Sequence, residues 1–319
     1  MQKLGFKQWL GKGILWIGLV ATLLAVTACA NQSETATADQ ESKIQITTTI
    51  GMITDIVKQV GKEHVEVSGL MKAGVDPHLY KASQGDIKKL DTAQMIFYNG
   101  LHLEGKMVEI LEKMGAKKPA IAVADAIDTK LLLSGQQMGT DHDPHVWFNV
   151  KHWMKATESV RDGLIKFDPT HKEAYTNNAA AYLKQLEELD RYVTEQIARI
   201  PESSRVLVTA HDAFGYFGAA YHIEVRGLQG MSTASEYGSK DVSELRDYLV
   251  EKKIKAVFIE SSVPKKSIEA VIQGAKEKGH TIQIGGELFS DAMGAEGTVE
   301  GTYLGMVRHN VDTIVKALQ

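Results

Sequence analysis

A long tract without a helix breaker, residues 169 to 200, most constrains the fold of this chain. Its apolar side chains recur at helical spacing and form one stripe: Tyr175, Ala179, Tyr182, Leu183, Leu186, Leu189, Tyr192, Val193 and Ile197. Asp168-Pro169 is a typical helix start and Pro201 a typical stop, which predicts one helix about 45 Å long at ~1.5 Å per residue. Periodicity alone also allows two shorter helices with a bend near Asn177-Asn178.

The segments on either side of this tract share one organisation. Short apolar runs rich in β-branched residues occur at 44–50, 65–70, 95–98 and 120–123, and helical spacing lies between them at 53–60, 84–90 and 103–114. After the tract, similar runs occur at 205–209, 222–225, 256–259 and 281–284. This alternation predicts an α/β protein with parallel strands and crossover helices. We expect two α/β lobes, residues 43–168 and 202–319, each with a mostly parallel central sheet flanked by helices, joined by a rigid helix at 169–201.

Residues 1–28 predict an export signal. A basic start is followed by an apolar run from Ile14 to Val26, which is too short for a comfortable membrane-spanning helix. The run leads into Val-Thr-Ala-Cys, which resembles a bacterial lipobox and implies that Cys29 becomes a lipidated residue. We therefore expect a protein anchored in the lipid bilayer on the extracytoplasmic face of the cell membrane. A spanning helix, or an ordinary signal with an incidental cysteine, is the alternative.

Residues 29–42 predict a disordered tether, because positions 30–42 contain no large apolar side chain. Cys29 is the only cysteine, so we expect no disulfide and expect stability to come from core burial. The formal net charge of -4 gives no reason to expect nucleic acid as a partner. We expect a monomer.

The tripeptide Asp-Pro-His occurs twice, ending at His78 and at His145. Proline fixes φ beside each imidazole, which suits a ligand that is held in place before a metal arrives. One such tripeptide is a weak motif. Two histidines supply half of a tetrahedral site, so the rest of the chain must supply the other donors.

The second lobe offers donors where strands end. His211 directly follows a β-run, and Asp291 lies shortly after another one; ligands of open α/β sheets gather at the carboxyl ends of strands. Glu287 is nearer to its strand end and competes with Asp291, since either carboxylate can bind a metal.

Three further residues lie beside the predicted ligands. Asp76 and Asp143 are interpreted as turn residues or as acceptors for the second N–H of a ligating histidine. His142 has a His-x-x-His spacing to His145, but its loop context favours a solvated neighbour or a transient metal acceptor.

Several motifs together resemble the metal-binding lipoproteins that serve as solute-binding subunits of manganese, zinc or iron ABC importers. They are the lipobox, the doubled Asp-Pro-His and the segments 209–217, 227–236 and 289–294, and the resemblance extends over essentially the whole chain. It implies a metal held between two lobes by His78, His145, His211 and Asp291. It also implies a membrane permease and its cytoplasmic ATPase as partners.

The donor set leaves the identity of the ion open, because three imidazoles and a carboxylate suit manganese or zinc and raw affinity favours zinc. Resemblance of segment 227–236 to the manganese and iron branch, and the lack of a long His/Asp/Glu-rich loop, favour Mn²⁺ over Zn²⁺, with Fe²⁺ also possible. Ligation by both oxygens of Asp291 would raise the coordination number above four and better suit manganese.

Two other functions are weighed against a binding protein. A secreted zinc metalloenzyme would need an open coordination position and a nearby general base, and the chain has neither a His-Glu-x-x-His helix nor a Gly-x-Ser-x-Gly elbow. We therefore do not expect an enzyme. No repeat or low-complexity stalk supports a surface adhesin.

Overall fold

Four parallel strands form the sheet of the first half of the chain: β1 (Ile44–Thr48), β2 (Val65–Gly69), β3 (Met95–Tyr98) and β4 (Ala120–Ala122). Their order in the sheet is β2-β1-β3-β4. The helices of this half are α1 (Gly51–Gly61), α2 (Gln84–Thr92), α3 (Val108–Gly115) and α4 (Val150–Phe167). This computed structural model describes residues 42–135 and 141–319. The predicted signal peptide, Cys29 and the predicted tether up to residue 41 lie outside that range.

Two parallel strand pairs form the second half. β5 (Val206–His211) pairs with β6 (Glu224–Gln229), and β7 (Ala256–Glu260) pairs with β8 (Gln283–Leu288). β7 lies beside β5, and the last residues of these two strands, His211 and Glu260, are in contact, so the carboxyl ends of both pairs meet. The helices of this half are α6 (Gly215–Tyr221), α7 (Ser239–Glu251), α8 (Lys266–Glu277) and α9 (Tyr303–Leu318).

One long helix, α5 (Lys172–Ala198), connects the two halves and follows a 3₁₀ turn at Pro169–His171. The prediction of a single long helix is confirmed, and the alternative with a bend near Asn177-Asn178 is wrong. The amide of Asn178 donates to the carbonyl of Val60 on α1 at 3.0 Å. One face of α5 is buried against α1, α4 and α9, so this helix is held along its length by tertiary packing.

Apolar burial unites the two halves. The larger core extends from the first sheet across α5 to α9, and a smaller core lies in the second half and includes Leu249, Val257 and Val271. Residues 43–319 form one compact unit, and the predicted α/β class is confirmed. None of the helices in the described ranges is both long and apolar enough to cross a membrane. The lobe boundaries remain predictions.

Two predicted elements differ in extent from the observed ones. The helix expected at 103–114 begins only at Val108, because residues 101–107 form a turn, which Leu101 and His102 begin with positive φ values of 53° and 63°. The strand expected at 281–284 instead continues to Leu288. Gly286 permits this extension: its φ is 151°, and a Cβ there would lie 2.4 Å from the side chain of Thr313.

A buried carboxylate joins three helices. Oδ2 of Asp55 on α1 accepts hydrogen bonds from the hydroxyl of Tyr182 on α5 at 3.1 Å and from the backbone N–H of Tyr303 at the start of α9 at 3.0 Å. Oδ1 accepts from the amide of Gln59 at 3.2 Å. Burial raises the pKa of Asp55 above its ordinary value of 3.8, and these donors partly offset the rise.

The variant Asp55→Asn tests whether the pKa of Asp55 is raised in the folded protein. The quantity to compare is the pH dependence of stability. A raised carboxyl pKa means that the favourable contribution of Asp55 is fully present below its unfolded pKa and is lost as the pH rises through its folded pKa. Asparagine keeps an acceptor oxygen but has no such titration. As the pH rises from about 4, the unfolding free energy of the native protein should fall relative to that of Asp55→Asn. Urea denaturation of the two metal-free proteins measures this difference. A pH-independent difference, or one of opposite slope, would contradict the assignment.

Candidate metal centre

His78 lies in the turn-rich segment after β2, and its conformation is set by the preceding Asp-Pro. Oδ1 of Asp76 accepts the backbone N–H of His78 at 2.9 Å, which closes a local turn around Pro77. The other oxygen of Asp76 accepts the hydroxyl of Thr233 from the second half of the chain at 2.5 Å. His78 is thereby buried at a point where the two halves meet.

The second Asp-Pro-His brings His145 to the start of the 3₁₀ turn that precedes α4. Oδ1 of Asp143 accepts the backbone N–H of His145 at 3.0 Å and also lies 2.7 Å from its Nδ1. The ring edge packs on Trp147, whose indole N–H donates to the carbonyl of Ser290 at 3.1 Å. Trp147 is fully buried, so it closes the site beside His145 as well as contributing to the core.

The second half supplies two further side chains from strand ends. His211 is the last residue of β5, and both its backbone N–H and its Nδ1 contact the carboxylate of Glu260, the last residue of β7. Asp291 follows β8, and the turn before it is pinned by Asn310, which exchanges hydrogen bonds with the backbone of Phe289 at 2.9 and 2.7 Å. Both candidate donors are buried.

One atom from each of His78, His145, His211 and Asp291 lies within 4.8 Å of the other three. Nε2 of His78 is 3.2 Å from Nε2 of His145. The Asp291 oxygens lie 3.7, 3.5 and 3.3 Å from Nε2 of His78, His145 and His211. Donors placed about 2.1 Å from a tetrahedral ion are about 3.4 Å apart, so the observed spacings fit a single metal ion.

Burial and the nearby carboxylates set the protonation of the group, and a metal ion would have to displace the proton from His211. Burial lowers the pKa of His78 to about 3, so its imidazole is neutral and can donate a lone pair. Burial would also lower the pKa of His211, but the carboxylates of Glu260 and Asp291 outweigh it and hold that pKa well above its ordinary value. Burial would raise the pKa of Asp291, but the surrounding imidazoles, His211 first, hold it below its usual range.

Three atoms at the centre of the group lack hydrogen-bond partners within the described ranges. They are Nε2 of His211 and both carboxylate oxygens of Asp291. Unpaired polar atoms are costly in a protein interior, and these three belong to side chains that converge on one point. A divalent ion coordinated there would satisfy them.

The other sequence-predicted residues lie around the group rather than in it. Asp143 contacts the ring of His145, whereas Asp76 holds only the backbone of His78. His142 forms an isolated β-bridge with Ser134, and Glu287 has an exposed side chain on β8. Sequence reasoning missed Glu260, because no local motif connects it to His211, which lies 49 residues away.

The family model described as zinc-uptake complex component A, periplasmic (ZnuA), matches residues 46–317. The manganese-binding lipoprotein MntA of Bacillus subtilis (strain 168) is 53% identical over 307 residues, which cover 95% of this chain and 99% of that protein. The zinc-binding protein TroA of Treponema pallidum (strain Nichols) is 49% identical over 286 residues, which cover 90% of this chain and 92% of TroA.

Solved structures agree with this relationship. The periplasmic zinc binding protein TroA from Treponema pallidum superposes with a TM-score of 0.85 at 49% identity, covering 87% of this chain and 99% of that one. The sequence and fold matches therefore extend over nearly the whole compact unit that contains the four-residue group. The chain belongs to the family of zinc-uptake complex component A periplasmic proteins.

Proposed function

We propose that this protein is the extracytoplasmic solute-binding lipoprotein of an ABC importer, and that it captures a divalent transition metal, Mn²⁺ in preference, and delivers it to a membrane permease. The observation that carries the proposal is the buried convergence of three imidazoles and one carboxylate at tetrahedral spacing. Family membership over residues 46–317 supports the same class of function.

His78, His145, His211 and Asp291 are the proposed ligands. The first two come from the segment before α5 and the last two from the segment after it, so full coordination requires both halves of the chain. Binding should therefore couple the ion to the relative position of the two halves. A permease that separates them would weaken the site and release the ion, with ATP hydrolysis by the cytoplasmic ATPase as the energy source.

Four protein side chains supply at least four donor atoms, enough to complete a tetrahedral coordination shell, and this distinguishes a binding site from a hydrolytic one. A catalytic zinc keeps a position for water or substrate and has a general base nearby. Here the side chains of all four donors are at most 2% exposed. The arrangement suits stoichiometric capture without turnover.

Membrane attachment through a lipid on Cys29 completes the proposal. Several relatives are named lipoproteins, among them MntA of Bacillus subtilis and the manganese ABC transporter substrate-binding lipoprotein PsaA of Streptococcus anginosus, which is 31% identical over 307 residues. A monomer tethered by residues 29–42 would remain near its permease while keeping freedom to reorient.

Manganese is favoured by the relatives and by the carboxylate. MntA shares 53% identity with this chain and PsaA is also named for manganese. Both oxygens of Asp291 are free of hydrogen bonds within the described residues, and both approach imidazoles. Bidentate ligation would give five donor atoms, whereas structural zinc sites are almost always four-coordinate.

Zinc is the second candidate, and Fe²⁺ is compatible with the same donors. TroA, at 49% identity, is named for zinc. Zinc also lies above manganese in the Irving–Williams order, so a site of this composition can bind zinc tightly unless geometry and metal supply oppose it.

Substitution of single ligands tests the site. His78→Ala and His211→Ala should each weaken binding of Mn²⁺ and Zn²⁺ by more than about 100-fold, because removing a direct donor should exceed the ~10–100-fold cost of removing an outer partner. Competition titration of metal-stripped protein against a chelator of known affinity measures the change.

His280→Ala is the control for these variants. His280 precedes β8 at the end of the strand away from Asp291 and contacts the carbonyl of Ile254, so its loss should leave metal affinity unchanged. The proposed ligand set would be wrong if the two site variants bound metal as tightly as the control. Failure of the unaltered protein to bind either ion at micromolar concentration would contradict the proposed function itself.

Asp291→Asn tests the metal preference. Asparagine can offer one neutral oxygen, so a bidentate carboxylate contact would be lost, and Mn²⁺ affinity should fall more than Zn²⁺ affinity. X-ray absorption on the manganese-loaded native protein should also give more than four ligand atoms. Glu287→Gln, at an exposed position on β8, the strand that precedes Asp291, should change neither affinity. Equal losses for both ions together with four-coordinate manganese would favour the zinc alternative.

A growth assay distinguishes a role in metal import from a role in adhesion. Cells that lack the protein should grow poorly in metal-depleted medium, and added Mn²⁺ should restore growth because high external metal bypasses a high-affinity capture step. Complementation with the native gene should restore growth, and complementation with the His211→Ala variant should not. Normal growth of the deletion strain at limiting manganese would contradict a role in manganese import.

A further inference from the structure

Glu260 is a buried carboxylate outside the four-residue group, and both of its oxygens contact one residue. Oε1 accepts the backbone N–H of His211 at 2.8 Å, and Oε2 lies 2.5 Å from Nδ1 of the same residue. Glu260 is 2% exposed. Burying a carboxylate is costly unless hydrogen bonds compensate. Here both compensating contacts are made with His211.

The chemistry of this contact determines which ring nitrogen of His211 can bind a metal. An ionised carboxylate only accepts hydrogen bonds, so Nδ1 must carry the hydrogen that faces Oε2. When a metal displaces the other ring proton, Nε2 is therefore the nitrogen that has the lone pair. Nε2 is the atom that lies 3.3 Å from Asp291 at the centre of the group, so the contact selects the tautomer that coordination needs.

The three imidazoles are supported in different ways. Asp143 contacts both the backbone N–H and Nδ1 of His145 from two residues away. Asp76 accepts only the backbone N–H of His78, because its second oxygen accepts the hydroxyl of Thr233. For His211 the support comes from a different strand, at the point where β5 and β7 end side by side.

We propose that Glu260 is a positioning residue for metal capture, which fixes the ring plane and Nδ1–H tautomer of His211 and strengthens electron donation from Nε2. The inference rests on the proposed function. Outer acceptors of this kind orient ligating histidines and raise their basicity. A purely structural role would consist of the backbone bond alone, which ties the end of β5 to β7 without involving the ring.

Glu260→Gln is the sharpest test, because it is nearly isosteric. The glutamine oxygen can still accept the backbone N–H of His211, while its N–H can donate to Nδ1 and favour the tautomer with hydrogen on Nε2. Both contacts of residue 260 with His211 keep a hydrogen bond, so the metal-free variant should unfold within a few degrees of the native protein. Its affinity for Mn²⁺ and for Zn²⁺ should fall about 10–100-fold.

Two further variants serve as comparisons. One keeps the negative charge at position 260 but changes its position, and the other makes the same Glu→Gln change on the protein surface. Glu260→Asp keeps the negative charge but withdraws it by one methylene, so an affinity between those of the native protein and Glu260→Gln is expected. Glu287→Gln makes the same chemical change at an exposed position on β8 and should bind metal as the native protein does.

A proton signal provides a readout that a structural role would not move. In the zinc-loaded native protein, the Nδ1–H of His211 should resonate far downfield and exchange slowly, because it is buried against a carboxylate at 2.5 Å. In Glu260→Gln this signal should move upfield, while the corresponding signal of His145, held by Asp143, should stay in place.

The results distinguish the two proposals. If the native protein binds metal and a folded Glu260→Gln binds it equally well, the positioning role is wrong and the proposed function stands. If Glu260→Gln does not fold, the native spectrum decides, and a rapidly exchanging His211 Nδ1–H would overturn the role. If the native protein binds neither ion, the proposed function fails.

Discussion

The structure depends on one electrostatic compensation, the burial of three imidazoles around the carboxylate of Asp291. The carboxylate of Asp291 and the imidazole of His211 depend on each other, since a buried charge is costly without a partner of opposite charge. Together they leave Nε2 of His211 and both Asp291 oxygens unpaired within the described residues. We propose this residual cost as the physical basis for affinity, because a divalent ion bound there would satisfy all of these atoms at once.

Each proposed donor lies at or near the end of a strand or turn, and a second residue stabilises that end by hydrogen bonding. His78 and His145 follow aspartates that close local turns, His211 ends β5 against Glu260, and Asp291 follows a turn fixed by Asn310. The long helix α5 and the Asp55 network hold the segments that carry these donors within one compact unit. A site assembled this way is organised before the ion arrives, which reduces the ordering cost of binding.

The sequence predicts the elements better than it predicts their contacts. The apolar stripe without a helix breaker predicts α5, because few other structures give helical periodicity over that length. The doubled Asp-Pro-His identifies His78 and His145 through local turn chemistry. The sequence favours Asp291 as the donor but leaves Glu287 as a competitor, because both follow the same apolar run, and the resemblance adds support for Asp291. Glu260 could not be predicted, since its contact with His211 arises from the neighbouring positions of β5 and β7, which no single segment encodes.

The central claim is that one divalent ion binds between these four side chains. Anomalous diffraction from manganese-loaded crystals measures this directly. We expect one strong anomalous peak bounded by Nε2 of His78, His145 and His211 and by the carboxylate of Asp291, with each nitrogen about 2.0–2.3 Å from the ion. A peak elsewhere on the protein, or an ion contacted by fewer than these four residues, would contradict the account.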